Sequence, residues 1–260
     1  MSDGTLTRRS FLSASPAVLA GRARGASRPP NVILMMADDL SARELGCYGH
    51  RGHRTPNLAA MAKTGMQFET CWASPICSPS RAAIMTGRYG FRTGWYHNNL
   101  KTNVPLAKNN LTIGKVMKDA GYATAITGKW QLPGRYEDHG FDEHLMWVES
   151  ADGFDGPVEG PGHQLPGRTA RYWHPSMSRN GKRVRTTAQD YGPDLSLEFI
   201  HDFAARNRNR PFFAYYPMVL THSSWDFDLN RAGWLATPKL DASGRRAEGK
   251  SEHSLKANVE

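Results

Sequence analysis

One cysteine in this chain stands where a reactive group could work. Cys77 lies in Ser74-Pro75-Ile76-Cys77-Ser78-Pro79-Ser80-Arg81, at the predicted N-terminus of a helix that closes in Thr86-Gly87-Arg88. Free backbone amides and the helix dipole favour an anion at such a terminus. Arg81, one turn later, points to the same side and adds a cation. The chain holds three cysteines, Cys47, Cys71 and Cys77. An odd count leaves at least one thiol outside any disulfide, and three are too few for a disulfide framework. Cys47 and Cys71 read as small buried hydrophobes, the ordinary state of a lone cysteine. Other polar residues follow apolar runs: Asp38-Asp39 after Asn31–Met36, Lys129 after Gly128, and His222 beyond Phe212–Met218. Ligands of doubly wound sheets bind beyond the carboxyl ends of the strands, so these three segments are expected to converge on one face.

The elements that must position them read as α/β. Asn31–Met36 is a continuous apolar run after Pro29-Pro30, the pattern of a strand buried on both faces of a parallel sheet, with Met35-Met36 in the core. Thr55 as N-cap and Pro56 at the first helical position open a helix that stops at Gly65. A strand is expected over Met66–Thr70. Leu111–Ala120 has helical spacing and ends at Gly121, and Tyr122–Thr127 reads as another strand. Residues 133–175 are rich in Gly, Pro, His and aromatics without a period, which predicts a long irregular excursion. Asn180-Gly181 predicts a hairpin turn, so that Arg179, Lys182, Arg183 and Arg185 form a solvated cluster rather than a polyanion site. Pro193–Ala205 predicts a helix and Phe212–Met218 a further buried strand. Arg88 and Tyr96-His97-Asn98 are candidates to line a pocket. His50, His53, His139, His144, His163, His174, His201 and His253 carry no such signal.

With 260 residues and a mean hydropathy of −0.57, the chain is long enough for a sizeable core and too polar to span a bilayer. Its longest apolar stretch, Pro211–Leu220, is about half the length that a membrane requires. A formal charge of +9 suggests an anionic partner. Residues 1–26 account for +3 of it through Arg8, Arg9, Arg22 and Arg24 against Asp3. Thr7-Arg8-Arg9-Ser10-Phe11-Leu12, a short apolar run and the small residues to Ala26 are similar to a twin-arginine export signal, which predicts a periplasmic or extracellular protein. With that charge set aside, nucleic acid is not an expected partner, and no stable membrane insertion is expected.

Taken together, several segments resemble the sulfatase family, over roughly residues 30 to 225. They are Asn31-Val32-Ile33-Leu34-Met35-Met36-Ala37-Asp38-Asp39, Thr55-Pro56-Asn57-Leu58, the Cys77-x-Pro79-x-Arg81 motif with Thr86-Gly87-Arg88, Gly128-Lys129-Trp130, Arg179-Asn180-Gly181-Lys182, and Pro211-Phe212-Phe213 before His222. The resemblance implies an α/β, alkaline-phosphatase-like fold, with a central mixed, mostly parallel sheet flanked by helices. It implies hydrolysis of a sulfate ester in a sulfated small molecule or sulfated saccharide. Cys77 would first be oxidised to formylglycine by a formylglycine-generating enzyme. A hydrated aldehyde offers one hydroxyl to attack sulfur and a second to expel sulfate as the aldehyde re-forms, which is covalent catalysis with a built-in release. Asp38, Asp39 and residue 77 would hold one divalent metal, usually calcium, for which hard oxygen ligands are suited. Arg81 would hold the diol oxygens and Lys129 a sulfate oxygen. His222 would contact the sulfate or protonate the leaving alcohol.

Two departures from the family pattern stand out. A histidine is common two residues after the lysine, where this chain has Gln131, a side chain that hydrogen-bonds but takes no proton. Family members are also longer and carry, after another strand, an Asp-Asn pair that completes the metal site. Residues 223–260 contain no such pair. The expectation is therefore an apparently truncated chain: residues 28–238 as the N-terminal part of the catalytic domain, 239–260 as a polar, disordered tail, an incomplete ligand set, and a sheet with an unprotected edge. The alternatives are a catalytically inactive fragment, a basic anion-binding module using Arg81, Lys129 and the 179–185 cluster, or a phosphate or phosphonate monoester hydrolase of the same superfamily.

Overall fold

The computed structural model describes residues 28–98, 106–148, 171–187 and 189–222. The chain divides between Pro30 and Asn31 into two units. Of the first, only the irregular Arg28–Pro30 are described; the second holds all the described elements. The expected export signal at 1–26 and tail at 239–260 lie outside the described residues.

The strands are β1 (Val32–Met36), β2 (Ala123–Gly128), β3 (Glu143–Trp147), β4 (Met177–Arg179), β5 (Lys182–Val184) and β6 (Phe212–Pro217). The helices are α1 (Pro56–Thr64), α2 (Cys77–Thr86), α3 (Gly90–Thr93), α4 (Leu106–Asn109), α5 (Ile113–Asp119) and α6 (Gly192–Arg206). All six strands join one sheet in the order β1-β6-β2-β3-β4-β5. Neighbours are parallel from β1 through β3, and the β4–β5 hairpin adds two antiparallel strands. The result is the expected mixed, mostly parallel sheet flanked by helices.

Side chains alternate between the two faces of a strand, and here each face has its own core. Ala123, Ala125, Leu145, Trp147, Phe212, Ala214 and Tyr216 pack with Phe199, Ile200 and Phe203 of α6. Ile126, Met146, Phe213 and Tyr215 pack on the other side with Ala82 and Met85 of α2, and with Trp95, Trp130 and Phe141. Each fully buried side chain of this size is worth about 1.5–3 kcal/mol relative to exposure. The second core therefore anchors α2, and the residues at its N-terminus, to the sheet.

The strand ends are tied together on one face. Asp38 N donates to Leu220 O at 2.7 Å and Thr221 N to Asp38 O at 2.8 Å, which joins the segments after β1 and β6. Lys129 N donates to Pro217 O at 2.8 Å, which joins the end of β2 to the end of β6. That approach needs Gly128, at φ 116°: a Cβ there would lie 2.1 Å from Pro217 O.

Several expectations are corrected. β1 is not buried on both faces. Among the described residues it is the sheet's end strand, with Val32, Leu34 and Met36 packed inward while Ile33 and Met35 are exposed, so only Met36 of the methionine pair joins the core. Met66–Thr70 forms no strand, and Met66 and Phe68 are exposed; apolar composition alone provides no pairing partner. The 133–175 excursion contains β3, whose Leu145–Trp147 are buried; residues 149–170 lie outside the described set. Thr55 precedes α1 but makes no cap bond, and its Oγ1 instead accepts Gly46 N at 3.0 Å. Cys47 is half-buried and Cys71 exposed, not core residues. The hairpin at Asn180-Gly181 is as expected, with both residues at positive φ (49° and 79°).

Candidate functional site

Helix α2 begins at Cys77, and Pro79 sits in its first turn, where its missing N–H has no intrahelical duty. Gly87 at φ 65° ends the helix in the left-handed conformation. Asn98 Oδ1 accepts the Ser78 amide at 2.9 Å, and Ser78 Oγ donates to Gln131 O at 2.9 Å. The buried Arg81 donates through Nη1 to Lys129 O. Helix α2 is thus latched to the segment after β2 at two points.

Between them sits a compact charged cluster. Cys77 Sγ is 3.4 Å from Asp38 Oδ1 and 3.7 Å from Lys129 Nζ. Lys129 Nζ donates to Asp38 Oδ2 at 2.6 Å, and Arg81 Nη2 lies 3.4 Å from Asp38 Oδ1. Asp38, Arg81 and Lys129 are all buried, so the trio carries a net positive charge away from water. Burial pushes the Asp38 carboxyl up, but Lys129, Arg81 and His222 outweigh it and hold the group below its ordinary 3.8. For Cys77 the balance goes the other way: burial, with Asp38 beside it, outweighs Lys129 and Arg81 and raises the thiol above 9.0. Reactive thiolates need the opposite shift, so an unmodified Cys77 is a poor nucleophile at neutral pH.

Asp39 turns outward at φ 60°, with its side chain exposed. Its Oδ2 lies 3.5 Å from His222 Nε2. Arg171 Nη1 stands 3.0 Å from His222 Nδ1, and an arginine can only donate. Nδ1 therefore accepts, and the proton of the neutral ring is on Nε2, facing Asp39. All six sequence-derived residues, Asp38, Asp39, Cys77, Arg81, Lys129 and His222, meet here. An open cleft of about 1060 Å³ over Asp38, Asp39, Cys77 and Arg81 is walled by Trp72, Arg88 and Tyr89. Arg88 thus lines it as expected, whereas Asn98 caps α2.

Arg171, Tyr172 and Ser78 carried no signal in the sequence. Arg171 stacks over Trp147 at 4.8 Å, and the Tyr172 hydroxyl donates to Val219 O and His222 O. Both positions follow residues 149–170, in a stretch whose composition is irregular. Gln131 sits at φ 55° with its Oε1 buried and unbonded among the described residues.

A second titratable group forms elsewhere among the described residues. Glu44, His50 and His53 place ligand-type atoms within 4.8 Å of one another, as Asp38, Asp39 and Cys77 do. Its chemistry differs: His50 Nδ1 accepts the amides of Gly52 at 3.1 Å and His53 at 2.8 Å. The neutral ring then carries its proton on Nε2, the atom that would have to bind a metal.

The Sulfatase family model matches residues 30–241. The chain belongs to the sulfatase family. It is 33% identical over 225 residues to the N-acetylgalactosamine-6-sulfatase of Canis lupus familiaris, an alignment covering 77% of this chain and 41% of that protein. It is 44% identical to the human steryl-sulfatase over 115 residues, 41% of this chain and 20% of that one. Among solved structures it matches BT4656, described in complex with its substrate D-glucosamine-2-N,6-O-disulfate, at 28% identity and a TM-score of 0.61, over 76% of this chain and 36% of that one. It also matches Ps i-CgsB, at 27% identity and a TM-score of 0.61, over 78% and 48%. The sheet is thus of the alkaline-phosphatase-like type. The chain spans about two-fifths of the length of the N-acetylgalactosamine-6-sulfatase it matches.

Proposed function

We propose that this site hydrolyses sulfate esters, with Cys77 acting after conversion to formylglycine. The observation that carries the reading is the placement of Cys77 Sγ at the start of α2, between Asp38 and Lys129, with its thiol raised rather than activated. Formylglycine supplies, as its hydrate, a hydroxyl for attack on sulfur and another for release of sulfate. The remaining work falls to side chains already in place. Arg81 and Lys129, both held by Asp38, with Arg81 also bonded to the Lys129 carbonyl, stabilise charge that develops on the non-bridging sulfate oxygens and need no rearrangement to do so. His222, oriented by Arg171, presents Nε2–H on the open side, where a leaving alkoxide requires a proton. Asp39 faces the same nitrogen and helps fix the orientation of the ring.

A hard divalent cation, calcium in our reading, fits this donor set in kind. Asp38 and Asp39 would hold it, and position 77 lies within 4.8 Å of both and offers oxygen once modified. The chemistry it supplies is further neutralisation of sulfate charge. Asp38 already answers to Lys129 and Arg81, so the two carboxylates alone provide a weak site.

We take a sulfated saccharide as the substrate class, because the relatives named above include sulfatases of amino sugars. The Arg8-Arg9 segment supports action outside the cytoplasm. The test is turnover: the chain co-produced with a formylglycine-generating enzyme is assayed for sulfate release from aryl sulfates and from 6-O-sulfated amino sugars, with calcium. Release that disappears in Cys77→Ala is expected. Equal release by Cys77→Ala, or release of phosphate in preference to sulfate, would contradict the reading.

A further inference from the structure

The segment that carries Lys129 is held from behind by a buried histidine. His139 ends the single 3-10 turn Glu137–His139 and is fully buried. Its ring packs edge-on against Trp130, the residue after Lys129, with 4.7 Å between centroids. Its Nε2 lies 3.3 Å from Pro133 O. A carbonyl only accepts, so Nε2 carries the proton of the neutral ring. Nδ1 is left with a lone pair and, among the described residues, with no hydrogen-bond partner. The backbone around the ring gives it no second position. His139 O accepts the Thr112 hydroxyl at 2.8 Å, just before α5. A Cβ at Gly114 would run into His139 O, and one at Gly140 into Lys115 N, so the turn is pressed onto the start of α5 without slack. In packing this close the ring leaves only if the chain beside it moves.

A proton on Nδ1 would bring both a charge and an unpartnered N–H into this position, and each is costly away from water. The groups facing the ring do not offset that cost. Lys115 of α5 opposes protonation, and Asp138, in the same turn, favours it. Tyr136, which packs edge-on against Trp130, is pushed up to about 12 by burial, with Glu137 beside it, and stays neutral. His144 of β3, across Tyr136, has Glu137 Oε1 at 3.3 Å as its own partner. We propose that His139 is an acid-sensitive lock on segment 129–133: its neutral ring fastens Trp130 and Pro133 against the α5 side, and its protonation releases them. The same segment supplies Lys129 Nζ to Asp38, Lys129 O to Arg81 and Gln131 O to Ser78, so release loosens the hold on α2. Burial, with Lys115, outweighs the Pro133 bond and Asp138 and keeps the folded ring below its ordinary 6.5. A released histidine takes its proton near 6.5 and the buried one only at lower pH. The lock is therefore complete above about pH 6.5 and is lost as pH falls through the folded value. It does not depend on conversion of Cys77 or on turnover.

Native-state amide exchange of the 260-residue chain, corrected for intrinsic rates and followed from about pH 7.5 to about pH 5, tests the lock above the range in which Asp38 titrates. The reporting amides are Lys129, Gly140 and Phe141, bonded to Pro217 O, Glu137 O and Tyr136 O. Their opening equilibrium should rise by up to about tenfold per pH unit below 6.5 until the folded value is reached. His139→Gln keeps a donor for Pro133 O but takes no proton, and it should flatten that rise. His139→Phe, which keeps a ring against Trp130, provides the same comparison should the glutamine disturb folding. His144→Gln should leave the rise in place. Nuclear magnetic resonance of the His139 ring in the natural chain should show Nε2–H and a proton uptake below 6.5. The proposal is overturned by exchange that is flat with pH in the natural chain, by an equal rise in the His139 variants, or by a ring that titrates at 6.5 or above. Exchange is read on unconverted chain without substrate, so a failure to release sulfate would contradict only the proposed hydrolysis.

Discussion

Two clusters of side chains in this sulfatase-family chain bring ligand-type atoms close together, one around Asp38 and Cys77 and one at Glu44, His50 and His53, and they differ in almost everything else. Asp38, Cys77, Arg81 and Lys129 come from the end of β1, the start of α2 and the end of β2, are mostly buried, and are cross-tied through side chain and backbone. Glu44, His50 and His53 come from one ten-residue stretch, are partly exposed, and spend a ring nitrogen on capping their own turn. Proximity of ligand atoms therefore does not define a site. What separates the two is whether long-range structure holds the groups against their electrostatic interests, as burial of two cations around one carboxylate does, or whether they have settled into a local turn.

The largest test of that contrast is Cys77→Ala. In the converted protein it should lower sulfate release by ~10³-fold or more, as removal of a nucleophile does, with the thermal midpoint little changed; steady-state kinetics beside a melting curve checks both. Lys129→Met comes next. It removes the short charged bond to Asp38 Oδ2 and leaves Arg81 as the buried partner of that carboxylate, so stability should fall by about 1.5–3 kcal/mol, to be read by urea titration. His222→Gln keeps a hydrogen-bonding group but cannot deliver a proton, so kcat should fall about 100-fold with KM moving far less.

The acid response sharpens the contrast further. Asp38 is held below its ordinary value in the folded chain, so its contribution to stability is fully present above about pH 4 and is lost as pH falls through the lower, folded value. The stability gap between the natural chain and Asp38→Asn should accordingly narrow as pH drops below about 4. Smallest of all are changes in the second group. Glu44→Gln should shift stability by no more than about 1 kcal/mol, as for exposed pairs. His50→Ala should cost about 1 kcal/mol for the two amides it leaves uncapped. A loss above 3 kcal/mol from either would erase the distinction drawn between the two groups.

The legible parts of the sequence were those where local chemistry and global fold agree. The Cys77 helix, its Gly87 stop, the Asn180-Gly181 turn and the run Phe212–Pro217 are each set by a few neighbouring residues, and the structure has them all. The convergence of Asp38, Lys129 and His222 was legible because ligands gather beyond strand ends in such sheets. What failed depended on partners. β1 has an interior strand's composition and an end strand's position, and Met66–Thr70 has strand residues without a neighbour to pair with. Arg171 could not be found because nothing in an irregular stretch says which arginine will reach His222. Ser78 and Asn98, which latch α2, are ordinary polar residues until the fold brings together positions 20 and 53 apart in sequence.

The most direct test of the central claim is the mass of the peptide containing position 77, taken from chain produced with a formylglycine-generating enzyme and paired with sulfate release from the same sample. The account expects a species about 18 mass units lighter than the cysteine peptide, with release proportional to its fraction across preparations. Release from chain that carries only the unmodified thiol would contradict it.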